Sequence, residues 1–332
     1  MINNNSITDV GNILVGHAHD LDALTGCTVI LCPNGAVAGI CQRGGAPGTR
    51  ETDLLRPMHS VQKVHGFLLS GGSAYGLDAA GGVMRWLEQK KIGFNTGEAL
   101  VPIVPAAIIY DLALGNAKIR PSAEMGFLAC EAATSIKPAE GNFGAGTGAS
   151  IGKILGMTQA MKSGIGTSSR SVGGGVMIGA IVVVNAFGDV VDLHTRKIIA
   201  GVRNVFKKGL TPADNGFFAN TIDVMSSVIG RGILAMASSR NTVIGVIATN
   251  AALSKEEANK FAECAADGIT LAVQPAFTMF DGDTVFSLAT GKKKLDINVL
   301  CAHAPVIFAD AIQNAVRAAE PAGNLPSIKS YL

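Results

Sequence analysis

Asn241-Thr242-Val243-Ile244-Gly245-Val246-Ile247 sets a polar dipeptide at the head of an apolar run, and its reading decides both the fold and the chemistry. The run has the length and β-branched content of a buried strand. A threonine hydroxyl is a weak nucleophile inside a chain, but once the peptide bond before it is cut, its own new α-amine can serve as general base. One cleavage between Asn241 and Thr242 makes both groups.

Downstream of this strand, Ser254 followed by Glu257 forms a capping-box pattern and predicts a helix from about Ser254 to Ala272. A turn holding Met279-Phe280-Asp281-Gly282-Asp283, a strand Thr284-Val285-Phe286-Ser287-Leu288 and a helix around Ala304 to Ala319 follow. Upstream, residues 201–241 carry breakers at Lys207-Lys208-Gly209, Pro212 and Asn215-Gly216, which predicts a flexible arm before the cut. Ile181-Val182-Val183-Val184 reads as a strand ended by Asn185, and the glycines between Gly141 and Gly179 predict close backbone packing.

Nearer the start, Thr28 to Cys32, the turn signal Pro33-Asn34-Gly35 and Ala36 to Cys41 predict a hairpin. Gly66 to Ser70 reads as a buried strand entering Gly71-Gly72-Ser73, with helical spacing from Tyr75 to Gln89. Pro102 and Pro105 predict an irregular entry to a short buried strand before Tyr110-Asp111. Strands and helices come in runs and pairs without βαβ alternation, so the expected class is a layered α+β sandwich in one domain spanning residues 1–332.

Composition agrees with that class: of 332 residues 48% are hydrophobic and 16% charged, with 41 glycines and one tryptophan. Such a chain can build a core without disulfides or metals. A net charge of +2 without a basic stripe gives no support for a nucleic-acid partner. The six cysteines include no Cys-x-x-Cys pair and sit in apolar segments, which predicts reduced core thiols and a cytoplasmic protein. Met1-Ile2-Asn3-Asn4-Asn5-Ser6 has no secretory pattern, and no apolar stretch reads as a convincing membrane span.

Several motifs look catalytic and are weaker than they look. Gly71-Gly72-Ser73-Ala74-Tyr75 joins strand to helix like a nucleophile elbow, but Tyr75 stands where that turn needs glycine. A packing turn is the simpler reading, although helix amides gathered at Gly71, Gly72 and Ser73 could line a substrate site. Gly144-Ala145-Gly146-Thr147-Gly148-Ala149-Ser150-Ile151-Gly152-Lys153 resembles a phosphate loop, yet Thr147 and Ile154 break its spacing. Lys153 still stands out, since a lysine after glycine and apolar residues acts strongly on its neighbours when buried. His17 and His19 lack a companion ligand and read as surface residues, and His194 and His303 are isolated, so neither metal nor cofactor is expected. Asp281-Gly282-Asp283 lacks the further acidic positions of a calcium loop. Asn185 is open to two readings, a turn asparagine or an oxyanion donor held at a strand end.

Together these segments resemble the self-cleaving aminopeptidase family that includes L-aminopeptidase/D-esterase, the β-peptidyl aminopeptidases and the nylon-oligomer hydrolase. The resemblance runs from near Gly11 to the last helix. It is carried by Thr25-Gly26-Cys27-Thr28-Val29-Ile30, Leu69 to Leu77, Ala107 to Asp111, Gly144 to Lys153, Asn241-Thr242 and Asp281 to Phe286. It implies a four-layer α-β-β-α sandwich like that of the N-terminal-nucleophile hydrolases, with residues 1–241 as α chain and 242–332 as β chain. Arg240 and Val243 depart from the glycine and the second threonine common around the cut.

By that resemblance Thr242 is the nucleophile, Asn185 and Tyr110 belong to the oxyanion site, and Asp281 and Asp283 orient the ammonium and hydroxyl. Lys153 would lower the pKa of the Thr242 α-amine from its reference of roughly 8. The implied activity removes amino-terminal residues from short peptides or amides, or cuts ω-amino-acid oligomers, in a homo-oligomer with four αβ units expected. The alternatives are an acyltransferase of the ornithine acetyltransferase type and, from another class, a non-catalytic anion- or nucleotide-binding protein.

Overall fold

The strand Thr242–Ala251 lies inside a sheet and is buried along nearly its whole length. The structure is a computed structural model that describes residues 4–204, 210–212, 214–236 and 241–332. One sheet is formed by β1 (Leu14–Asp20), β2 (Thr25–Gln42), β3 (Val64–Ser70) and β4 (Ala106–Ile108). The other runs in the order β5 (Ile165–Ser171), β6 (Met177–Asn185), β7 (Thr242–Ala251), β8 (Thr284–Lys293), then the far half of β2. Pairing is antiparallel except for β3 with β4 and β7 with β8.

The expected hairpin at Pro33-Asn34-Gly35 is corrected: Thr25–Gln42 is one strand. Its first half pairs with β1 and β3, its second half with β8, and the register shifts between Leu31 and Ala36. Turn-forming residues here bend a strand shared by both sheets. Gly35, with φ of 70°, supplies the left-handed conformation this irregularity requires.

Side-chain alternation then sorts the core into layers. Along β7, Ile244, Val246 and Ala248 meet Phe67, Leu69, Phe286 and Leu288 between the two sheets, where the Phe67 and Phe286 rings stack 4.7 Å apart. Val243 and Ile247 face the other way, onto α5 (Lys255–Ala272) and α6 (Ile297–Ala318). On the opposite side of the molecule Val29, Leu31 and Leu68 meet α1 (Ala79–Gln89) and α2 (Ala123–Glu131). Helices, sheet, sheet and helices make the α-β-β-α sandwich.

Helix boundaries follow their caps. Ser254 and Glu257 form both halves of the expected capping box at the start of α5. The last helix begins at Ile297, capped by Asp296, well before the expected Ala304, because Pro305 is accommodated inside it. Its 22 residues are long and apolar enough to cross a membrane by length and composition, but its apolar face packs on α5 and the β5–β6 sheet. Within 201–241 the described residues include two short helices, α3 (Thr221–Ser226) and α4 (Val228–Met236). Lys207, Lys208, Gly209 and Arg240 lie outside the described residues.

Four of the six cysteines are buried and all are free. His17 is not a surface residue: its Nδ1 lies 2.9 Å from Thr28 Oγ1, and burial, with His19 nearby, lowers its pKa to about 4. The glycine-rich stretch packs backbone on backbone as expected, and Gly166 is closest to α6, where a Cβ would lie 2.3 Å from Ala311 O.

Gly39 on β2 is in the same position against α5, since a Cβ would lie 2.4 Å from the Asn259 nitrogen. Gly39→Val therefore pushes α5 off the sheet and should destabilise the protein by about 1–3 kcal/mol. Thermal unfolding should show a lower midpoint for this variant, and an unchanged midpoint would contradict the layer contact.

Candidate active site

Thr242 is fixed from both sides by its strand. The Val243 N–H donates to Asp283 Oδ1 at 2.6 Å, and Thr242 pairs with Asn185 across the antiparallel register of β6 and β7. The Thr242 hydroxyl donates to the carbonyl oxygen of Asn241, so it lies against the peptide bond that precedes it. That same carbonyl accepts the Gly282 N–H at 2.9 Å. An isolated parallel bridge between Asn241 and Asp281 holds the two segments together, and the Ala46 N–H anchors the Asp281 carbonyl from behind at 2.9 Å. A backbone donor on a carbonyl stabilises negative charge that develops on its oxygen. Asn241 Oδ1 is buried and finds no partner among the described residues.

Asn185 is fully buried and joins three parts of the site. Its Nδ2 donates to the Tyr110 carbonyl at 3.0 Å, while its Oδ1 accepts from the Ser150 N–H at 3.1 Å and from Lys153 Nζ at 2.7 Å. Lys153 Nζ also donates to the Asn185 carbonyl at 2.9 Å. Burial drives the Lys153 pKa down to about 7, outweighing Asp281 and Asp111, which raise it. Near neutral pH this amine therefore exchanges its proton readily.

The acidic pair is buried and fully employed. Asp281 Oδ2 accepts from the Thr278 N–H at 2.8 Å and hydroxyl at 2.6 Å, and its carboxylate also takes the Phe187 N–H. Asp283 uses its second oxygen for the Phe277 N–H at 3.2 Å. Burial, then the neighbouring Asp281 charge, push Asp283 up to about 7. Asp283 thus fixes the amide that follows Thr242, while the Asp281 charge acts on Lys153.

Gly71, Gly72 and Ser73 sit one step behind the site. The Gly72 N–H donates to Asp111 Oδ1 at 2.7 Å, and Ser73 N–H donates to the Ile109 carbonyl at 3.0 Å. Their turn holds Asp111, which follows Tyr110 directly and which no sequence motif singles out. Lys162 was also missed: it is completely buried beneath the glycine-rich turn and donates to the carbonyls of Gly146, Ala149 and Ser163 at 3.1, 2.9 and 2.6 Å. Its flanking Met161 gives a hint of burial, but the carbonyl cradle that makes burial tolerable is a tertiary feature. The apparent phosphate loop is therefore a packing turn that presents Ser150 and Lys153 to Asn185.

A cavity of about 340 Å³ opens beside this cluster, with Asn241, Lys153, Tyr110 and Asp111 on its wall. Among the described residues no group of His, Cys, Asp and Glu has metal-binding geometry.

A strand-initial threonine, its hydroxyl on the preceding carbonyl, in an α-β-β-α sandwich with a lysine, an asparagine and two aspartates around it, defines a self-processing hydrolase of the N-terminal-nucleophile class. The chain belongs to peptidase family S58, matched over residues 5–325. It is 45% identical over 296 residues to an uncharacterized aminopeptidase of Mycobacterium tuberculosis (strain ATCC 25618 / H37Rv), covering 86% of this chain and 82% of that one. It is 29% identical over 322 residues to the 6-aminohexanoate-oligomer endohydrolase of Kocuria sp. (strain KY2), covering 93% and 85%. The fold is shared with the L-aminopeptidase D-Ala-esterase/amidase of Ochrobactrum anthropi at a TM-score of 0.68 and 20% identity, over 95% of this chain and 86% of that one. It is accordingly a hydrolase acting on peptide or amide bonds, which leaves the non-catalytic reading without support.

Gly282→Pro removes the donor on the Asn241 carbonyl, whereas Gly282→Ala adds a Cβ to the same space and keeps the N–H. Self-cleavage of the proline variant should be slower than that of the alanine variant by about 100-fold or more. Equal rates, followed by denaturing electrophoresis, would show that the donor is not used.

Proposed function

We propose that the chain cuts itself between Asn241 and Thr242 into an α chain of residues 1–241 and a β chain of residues 242–332. The mature Thr242 then hydrolyses amide bonds in short peptides, amino-acid amides or ω-amino-acid oligomers. The observation that carries this reading is the Thr242 hydroxyl lying on the Asn241 carbonyl while that carbonyl accepts the Gly282 N–H.

In the precursor, Thr242 Oγ attacks the Asn241 carbonyl carbon, the C–N bond breaks, and the hydroxyl proton ends on the Thr242 nitrogen. Lys153 in its neutral form relays that proton. Water then hydrolyses the ester, leaving a carboxylate on Asn241 and restoring the hydroxyl. In the mature enzyme the α-amine of Thr242 takes the relay role, and Asn185, braced by Tyr110, Ser150 and Lys153, stabilises the substrate oxyanion. Asp281 and Asp283 hold the new ammonium and the strand start in place.

The two chains stay together because the β-chain strands β7 and β8 are flanked by β6 and β2 of the α chain. Assembly into four αβ units and a cytoplasmic location are part of the same proposal. Light scattering of the purified protein tests the assembly.

Thr242→Ala should yield an uncut chain inactive on p-nitroanilides. A cut or active Thr242→Ala protein contradicts the role of this hydroxyl. Because the Lys153 pKa is lowered from its usual value to about 7, the relay amine is protonated and unable to accept below that pH and free above it. The self-cleavage rate should therefore rise between about pH 6 and 8, and a flat profile in wild type excludes Lys153 as the relay.

A further inference from the structure

Two of the six cysteines escape the core, and they are neighbours. Cys264 on α5 and Cys301 on α6 are free and half-buried, whereas Cys27, Cys32, Cys41 and Cys130 are buried. The thiols of Cys264 and Cys301 share a hydrogen bond across the two helices.

The backbone explains why they meet. At Gly268 the helices touch main chain to main chain, since a Cβ there would lie 2.4 Å from the Pro305 carbonyl oxygen and 3.1 Å from the Ala309 nitrogen. Cys264 and Cys301 stand four residues before Gly268 and Pro305, so each lies about one turn back on its own helix. The two contacts advance together, which means that α5 and α6 run in the same direction. Close approach at the glycine draws Cα atoms one turn away toward the separation of roughly 4.4–6.8 Å that a disulfide requires.

Reagent access is from the Cys264 side. Cys264 lines an open groove of about 400 Å³ with Cys41, Lys260 and Asp267. The Lys260 charge acts on both thiols in the direction that favours a thiolate, while Glu263 opposes it at Cys301. Burial, then the hydrogen bond to Cys264, push the Cys301 thiol up to about 12, so Cys264 is the group that meets a reagent first. Cys41 also reaches the groove, but it is buried, and Cys301 is the thiol hydrogen-bonded to Cys264.

We propose that Cys264 and Cys301 form a dithiol modification site, oxidised by a low-molecular-weight disulfide to a bond that staples α5 to α6. The Cys264 thiolate attacks one sulfur of the small disulfide, whose S–S bond breaks, and the departing thiolate takes up the proton that Cys264 lost. Cys301 then attacks Cys264 Sγ, displaces the second small thiol and gives up its proton to it. Two protein thiols are oxidised and one small disulfide is reduced to two thiols. The site stands apart from the amidohydrolase reading, because neither thiol is on the wall of the cavity beside Asn241.

The test incubates reduced, folded wild-type protein with oxidised glutathione at about pH 8, quenches it in acid, alkylates it in denaturant and maps its peptides by mass spectrometry. One disulfide should join the Cys264 and Cys301 peptides, with both thiols lost in equal amount and both recovered after dithiothreitol. In Cys301→Ser, glutathione held on Cys264 should exceed that in the wild type by about tenfold or more, because no resolving thiol remains. A bridge from Cys264 to Cys41, a glutathione adduct that persists on Cys264 in the wild type, or two thiols that both stay free would each overturn the inference.

Discussion

The contact between the Thr242 hydroxyl and the Asn241 carbonyl is the constraint on which the rest of the structure depends. It exists because β7 begins at Thr242 and is pinned there by two ladders, antiparallel to β6 and parallel to β8. The turn that leads into β8 brings Gly282 onto the same carbonyl and Asp283 onto the next amide. Two segments forty residues apart in sequence thus meet at one peptide bond. The sandwich makes that meeting rigid, since β7 contributes to the inter-sheet core with one face and to the helix-facing core with the other.

Burial supplies the electrostatics. Lys153, Lys162, Asp111, Asp281 and Asp283 are all withdrawn from bulk water, and in each the largest influence on the pKa is desolvation. Burial pushes Lys153 and Lys162 down to about 7 and Asp283 up to about 7, and raises Asp111 and Asp281 above the usual carboxylate range. Hydrogen bonds from backbone N–H groups keep the carboxylates ordered, and carbonyls cradle Lys162. Such a cluster is expensive to assemble, and its clustering beside a cavity is what marks it as functional rather than structural.

Much of this was legible in the sequence, for identifiable reasons. The run after Thr242 is too apolar and β-branched to be anything but a buried strand, and the Ser254 and Glu257 cap is purely local. The site residues Thr242, Lys153, Asn185, Tyr110, Asp281 and Asp283 came from resemblance to a family, and the structure brings them into one connected cluster. Pro33-Asn34-Gly35 misled because turn residues can bend a strand as well as reverse it, and only the partner strands distinguish the two. Asp111 and Lys162 were invisible because a charged residue declares its burial only through the tertiary groups that satisfy it. Gly282 acts through its main-chain N–H, which no side-chain motif encodes.

The central claim is that the peptide bond beneath the Thr242 hydroxyl is broken by that hydroxyl to create the working enzyme. Intact mass measurement of the purified protein, with amino-terminal sequencing of the smaller fragment, tests it most directly. The account predicts two polypeptides that copurify, the smaller beginning at Thr242. A single uncut chain with full amidase activity would contradict it.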